Sequence, residues 1–160
     1  MTVEPLISAP LAVQMHVACA AIALPVGSFA LFRPRRDRVH KVLGYIWVAA
    51  IVGLSLSGLL IESSIALIGP FGPIHLFSLF ALWGVAEGLW RIRKGDIARH
   101  RAAMQSVWFG AMGTAGLLTL LPGRVMNRML FPDTPEAGLW IVVAGLAMLL
   151  IGWRRWVGKG

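Results

Sequence analysis

The chain has 160 residues, 58% of them hydrophobic and only 14% charged, with a mean hydropathy of +0.75. An ordinary soluble domain is roughly 45–50% apolar and about 25% charged, so a water-soluble globule of this size has nowhere to bury the excess. The net charge of +8 does not point to nucleic acid, because the basic residues fall in short clusters between long apolar runs. The composition is that of an all-α integral membrane helical bundle.

Along the chain, the first ten residues carry Glu4 and no Lys or Arg. A secretory signal needs a positive start, so the apolar stretch that follows, 11–32, is expected to be a retained span. It holds His16, Pro25, which should kink it, and Cys19. A single cysteine excludes an internal disulfide, a thiolate zinc cluster and the C-x-x-C-H haem attachment; in this setting it reads as a small core hydrophobe. Four more stretches are apolar enough to cross about 30 Å of hydrocarbon at 1.5 Å per residue: 42–61, 74–90, 102–121 and 137–153. The third and fifth are slightly short, which tilt can accommodate. Five transmembrane helices in one membrane domain are therefore expected: a hairpin over 11–61, a hairpin over 74–121, and a fifth helix.

The cations set the orientation. Arg33, Arg35, Arg36, Arg38 and Lys41 follow the first span. Arg91, Arg93, Lys94, Arg99 and Arg101 follow the third, and Arg154, Arg155 and Lys159 follow the fifth. Only Arg124 and Arg128 would lie on the other side. The positive-inside rule then places the basic loops and the C-terminus in the cytoplasm and the N-terminus outside. Lipid headgroups account for the positive charge. Glycines mark close helix contacts: Gly53 and Gly58 in the second span, a G-x-x-x-G pair at Gly84 and Gly88, and Gly110, Gly113 and Gly116 in the fourth. Glu87 is an intramembrane carboxylate, a functional candidate by default, but Arg91 stands four residues on and an i,i+4 pair is the plainer reading.

The segments 33–47 and 91–108 resemble one another. Each runs from an arginine-rich loop through Asp37 or Asp96, good N-caps, to His40 or His100, then an apolar run with Trp47 or Trp108. His16 and His75 precede these by similar intervals, so two hairpins are offset by about 60 residues. In such a repeat, His16 and His75 would face each other near the outer surface and His40 and His100 at the inner boundary, the layers about 20 Å apart. Paired imidazoles across a bundle interior are what six-coordinate haem iron requires. One or two haems b are expected on this reading. The inner cations, or Arg124 and Arg128 outside, would serve the propionates, and Phe77, Trp47, Trp83 and Trp108 would wall the pockets. The competing readings are helix caps or lipid-phosphate contacts for the inner pair, and an interhelical hydrogen bond or proton role for the outer pair. Copper with Met15 and Met104 is a further alternative, although methionines in apolar helices are mostly packing.

The pieces H-K-x-x-G at 40–44, P-I-H-x-x-S at 73–78, G-D-x-x-x-H-R-x-x-M at 95–104 and L-P-G-R at 121–124 resemble a family of bacterial multi-span membrane proteins that is catalogued as a domain of unknown function. The resemblance covers residues 11–125; it implies a multi-pass protein of the bacterial cytoplasmic (inner) membrane and no activity. More loosely, the chain is similar to two-haem transmembrane cytochromes b of the ferrireductase type, which use histidines on alternate helices. That likeness implies His16 with His75 and His40 with His100 as axial pairs. The leading expectation is an electron-carrying b-type cytochrome. The alternatives are a haem-free accessory or assembly subunit of a larger membrane complex, or a small proton-coupled transporter using His16, His75 and Glu87. Membrane lipids are expected as partners, with a homodimer or larger complex possible and no nucleic acid. Hydrolase motifs are missing from the sequence.

Overall fold

A computed structural model describes residues 2–63 and 65–157, the last six by backbone alone. Among the described residues it is all-helical, with eight α-helices, one π-helical segment and no strand. Lys159 lies outside the described residues. Contacts divide the chain into two compact units, Pro10–Met112 and a second made of residues 2–9 with those from Gly113 onward.

The first unit is two helical hairpins. α2 (Leu11–Phe32) starts directly after Pro10 and runs unbroken through Pro25. It stops where Arg33 turns extended, as a residue before proline must. α3 (Arg38–Leu59) is started by Asp37, whose side chain accepts the His40 N–H at 3.1 Å. α4 (His75–Arg93) ends at Lys94, and Gly95 follows at φ +77°, a left-handed position that suits glycine. α5 (Ile97–Gln105) is capped by Asp96, which accepts the Arg99 N–H at 3.0 Å. Both expected caps are therefore made. The helices reach further into the basic segments than the apolar stretches do, because the caps, and not the last apolar residue, fix where each begins.

After α5 the backbone changes to a π-helix over Ser106–Gly113. Nothing in the apolar pattern of 102–121 signals this. π-segments of eight residues are rare and gather at functional places, and this one carries Trp108 and Phe109. α2 packs on α3, α3 on α4 and α4 on α5. The core between them combines small residues, among them Ala23, Ala50 and Ala81, with Ile51, Val107, Met104 and Trp47. Large apolar side chains such as Phe29, Leu56, Leu79 and Trp83 face outward, as lipid-facing residues of a bundle do.

The second unit contains α1 (Glu4–Ile7), α6 (Thr114–Leu118), α7 (Val125–Leu130) and α8 (Glu136–Val157). α1 packs on α7 and α6 on α8. The L-P-G-R piece is a turn: Gly123 takes φ +84° and Arg124 is the extended N-cap of α7. Asn127, fully buried, donates to Leu120 O at 2.7 Å and Pro135 O at 2.9 Å and so closes the connection into α8.

α2 and α3 are each long and apolar enough to cross a membrane, and the stretch Glu136–Ile151 of α8 is a shorter apolar helix. These correspond to the first, second and fifth expected spans. α4 and α5 with the π-segment do not reach that measure.

Candidate functional site

All four histidines belong to the first unit, and each ring reaches a backbone carbonyl. His16, on α2, approaches Leu54 O on α3 at 2.9 Å. His40, in the first turn of α3, approaches Ala30 O near the end of α2 at 3.1 Å. His100, in the first turn of α5, approaches Gly88 O on α4 at 2.8 Å. In all three the contacting atom is Nδ1. A carbonyl only accepts, so Nδ1 carries the proton and donates, and the neutral ring keeps its lone pair on Nε2. That is the orientation in which backbone carbonyls hold metal-ligating histidines.

His75 is arranged the other way. Its Nε2 lies 3.0 Å from Ile61 O and must donate there. Its Nδ1 faces Gly72, whose N–H it accepts at 3.0 Å, the shorter contact, with the Gly72 carbonyl at 3.2 Å, and its ring meets the Phe71 ring edge-on at 5.0 Å between centroids. Both nitrogens are consumed in closing the loop between α3 and α4, where Ile68 and Phe71 form a tight turn around Gly69 at φ +58°. The histidine of P-I-H-x-x-S thus serves as a latch. Its serine, Ser78, lies across Gly58 from His16: a Cβ on Gly58 would stand 2.8 Å from Ser78 Oγ and 3.2 Å from the His16 ring. The α4 residue that His16 approaches through Gly58 is therefore Ser78, one turn beyond His75.

The inner pair reproduces the repeat in three dimensions. In each hairpin an aspartate caps the second helix, and a histidine one turn on ties its ring to a carbonyl of the first helix. A residue two turns deeper then packs on a glycine of that first helix. Trp47 covers Gly27 in the first hairpin, and Val107 covers Gly84 in the second. Met104, four residues after His100, packs on Gly88.

Some of the charged residues nearby are paired. Arg91 Nε lies 2.6 Å from Glu87 Oε1, while its guanidinium also covers the Trp90 ring at 4.6 Å; Glu87 is thus the i,i+4 partner the spacing suggested. In the exposed loop, Arg33 and Asp37 form a two-pronged pair. The Arg33 guanidinium, helped by the His40 N–H, holds the Asp37 carboxyl down at about 2. Arg124 and Arg128 belong to the second unit, Arg128 in the last turn of α7. Of the expected pocket walls, Trp47 is buried in the core and Trp108 partly buried against it, whereas Trp83 is mostly exposed. Cys19 is half-buried, its sulfur beside Gly53, and lies outside the buried core expected for it. Among the described residues no three of His, Cys, Asp and Glu gather to hold a metal ion; a bis-histidine haem asks for two.

Sequence reading missed two features of this region, the π-segment and the opposite tautomer of His75. Neither has a signal in residue type. In comparison with known proteins, the family model described as "Predicted membrane protein (DUF2306)" matches residues 13–154. No curated protein and no solved structure matches.

Proposed function

The chain belongs to this family of predicted membrane proteins of unknown function, and from that premise we propose that it is a b-type cytochrome-like carrier of electrons whose haem is held by His40 and His100. The observation that carries the reading is the shared geometry of these two rings. Each donates Nδ1–H to a carbonyl of the neighbouring helix and so leaves Nε2 to offer, and the repeat gives the two rings equivalent places in their hairpins. The flanking Arg35, Arg36, Lys94 and Arg101 supply cations for propionates. A bound haem would supply one-electron redox chemistry; the chain's own contribution is to fix the two rings and to keep the surroundings apolar. His16 has the same ring orientation and is the candidate for a second site. His75 fits ligation only if it releases Ile61.

Five spans, with the basic loops and C-terminus in the cytoplasm of a bacterial cell, complete the proposal. It is supported by the two long apolar helices, the shorter one in α8, and the clustering of cations.

A second reading has its own support. The same ring-to-carbonyl bonds staple helix to helix without any cofactor, as a haem-free accessory subunit of a larger membrane complex would need. A dithionite-reduced minus air-oxidised spectrum of the purified protein, with a pyridine haemochrome assay, separates the two. One haem per chain that is lost in His40→Ala and in His100→Ala, and retained in His75→Ala, is the expected result. A colourless protein after expression with ample haem would leave the accessory subunit.

A further inference from the structure

The loop that joins α3 to α4 lies at the end of these helices away from the basic segments, and residues 60–74 carry one charge, Glu62. Its tip is apolar and faces outward: Ile65 is 64% exposed, Leu67 71%, Ile68 80% and Phe71 48%. Proteins seldom display such a patch to water, and one that does marks a contact. The backbone of the loop, by contrast, is turned inward. The Ser63 N–H donates to Pro70 O at 2.9 Å, and those of Leu67 and Ile68 donate to Phe71 O at 2.8 and 3.2 Å. The Phe71 N–H returns to Ile68 O at 3.1 Å, and Ser63 Oγ donates to Ile65 O at 3.0 Å. His75 closes the base between Ile61 O and the Gly72 N–H. Pro70 and Pro73 have no N–H to satisfy.

We propose that this loop is a membrane-inserted element whose tip, Ile65, Leu67, Ile68 and Phe71, lies in the interfacial layer of the leaflet away from the basic segments. Two observations choose lipid over a protein partner. The apolar surface is continuous with the outward faces of both helices, through exposed Leu56 and Leu60 before the loop and Leu76 and Leu79 after it. The tip also offers a partner few hydrogen bonds, since its four large side chains have no polar group and its backbone bonds turn inward. Backbone that enters lipid must be satisfied internally; a loop that docks on protein need not be. The depth follows from what is left over. The N–H groups of Ala66 and Gly69 find no acceptor among the described residues, so the tip stops where ester and headgroup oxygens or water can serve them. Its side chains reach the acyl boundary, as those of interfacial helices do. His75 holds the loop compact, because its two bonds tie the start of the loop to its end.

The test uses the full chain, with Cys19→Ala, in nanodiscs of phosphatidylethanolamine and phosphatidylglycerol that hold one copy each. Leu67→Cys, Ile68→Cys and, as the water reference, the exposed Asp133→Cys are each labelled with a nitroxide. Power-saturation EPR then compares collisions with oxygen, which concentrates in lipid, against those with a water-soluble nickel chelate. Relative to Asp133, the labels at Leu67 and Ile68 should favour oxygen over nickel several-fold. Both side chains are exposed, so neither substitution disturbs packing. Adding His75→Phe to Ile68→Cys should return the ratio towards that of Asp133. Nickel collisions at both tip positions as frequent as at Asp133 would overturn the proposal by placing the loop in water. So would infrequent collisions with both reagents, the mark of a tip covered by protein. The measurement reads depth and not side, so the insertion and the proposed orientation can fail separately.

Discussion

At the scale of single residues, the tautomer is the informative property. Four histidines look equivalent in sequence, yet three donate from Nδ1 and one from Nε2, and only the neighbouring carbonyls decide which. His75 should therefore behave as a structural residue. His75→Phe leaves Ile61 O and Gly72 N–H without their partner and is expected to cost on the order of 2 kcal/mol, read as a lowered unfolding temperature in detergent with the haem content unchanged. Asp37 gives a pH signature. Its carboxyl ordinarily titrates at 3.8 and is held at about 2 by Arg33 and the His40 N–H. A folded value below the unfolded one means the stabilisation is complete above about pH 4 and is lost as pH falls towards 2. Unfolding curves of the wild type and of Asp37→Asn should converge across that window, and a constant gap between them would contradict the assignment.

At the scale of elements, caps and turns were legible because their chemistry is local. Asp37 and Asp96 start their helices wherever they are placed, Arg33–Pro34 stops one, and Gly95 and Gly123 take the left-handed turns. The π-segment was not legible. Its residues, Ser106–Gly113, are as apolar as the rest of the expected span, and its register follows from fitting Val107 on Gly84 and Trp108 beside Gly27 at the same time. Gly27 is the test of that packing. Gly27→Val forces both indoles aside and should destabilise the protein by about 1–3 kcal/mol. Gly116→Val, in open space among the described residues, should change the thermal midpoint little.

For the whole molecule, the cation distribution makes a prediction independent of any cofactor. With Cys19 replaced by Ala, single cysteines at Arg36 and at Lys94 should react with a membrane-impermeant maleimide from the same, cytoplasmic, face. Labelling from opposite faces would refute the two-hairpin arrangement. The sequence by itself determined that this is a helical membrane protein, where its hairpins turn, and that its histidines recur with the repeat. Composition, capping and charge act over one or two turns or as sums over the chain, so they survive without a structure. Helix packing alone sets which nitrogen each histidine offers, that His75 latches a loop, and that two tryptophan rings pack against one glycine. Those properties belong to pairs of atoms far apart in sequence, brought together by helix packing and then fixed by the need to satisfy each buried polar group.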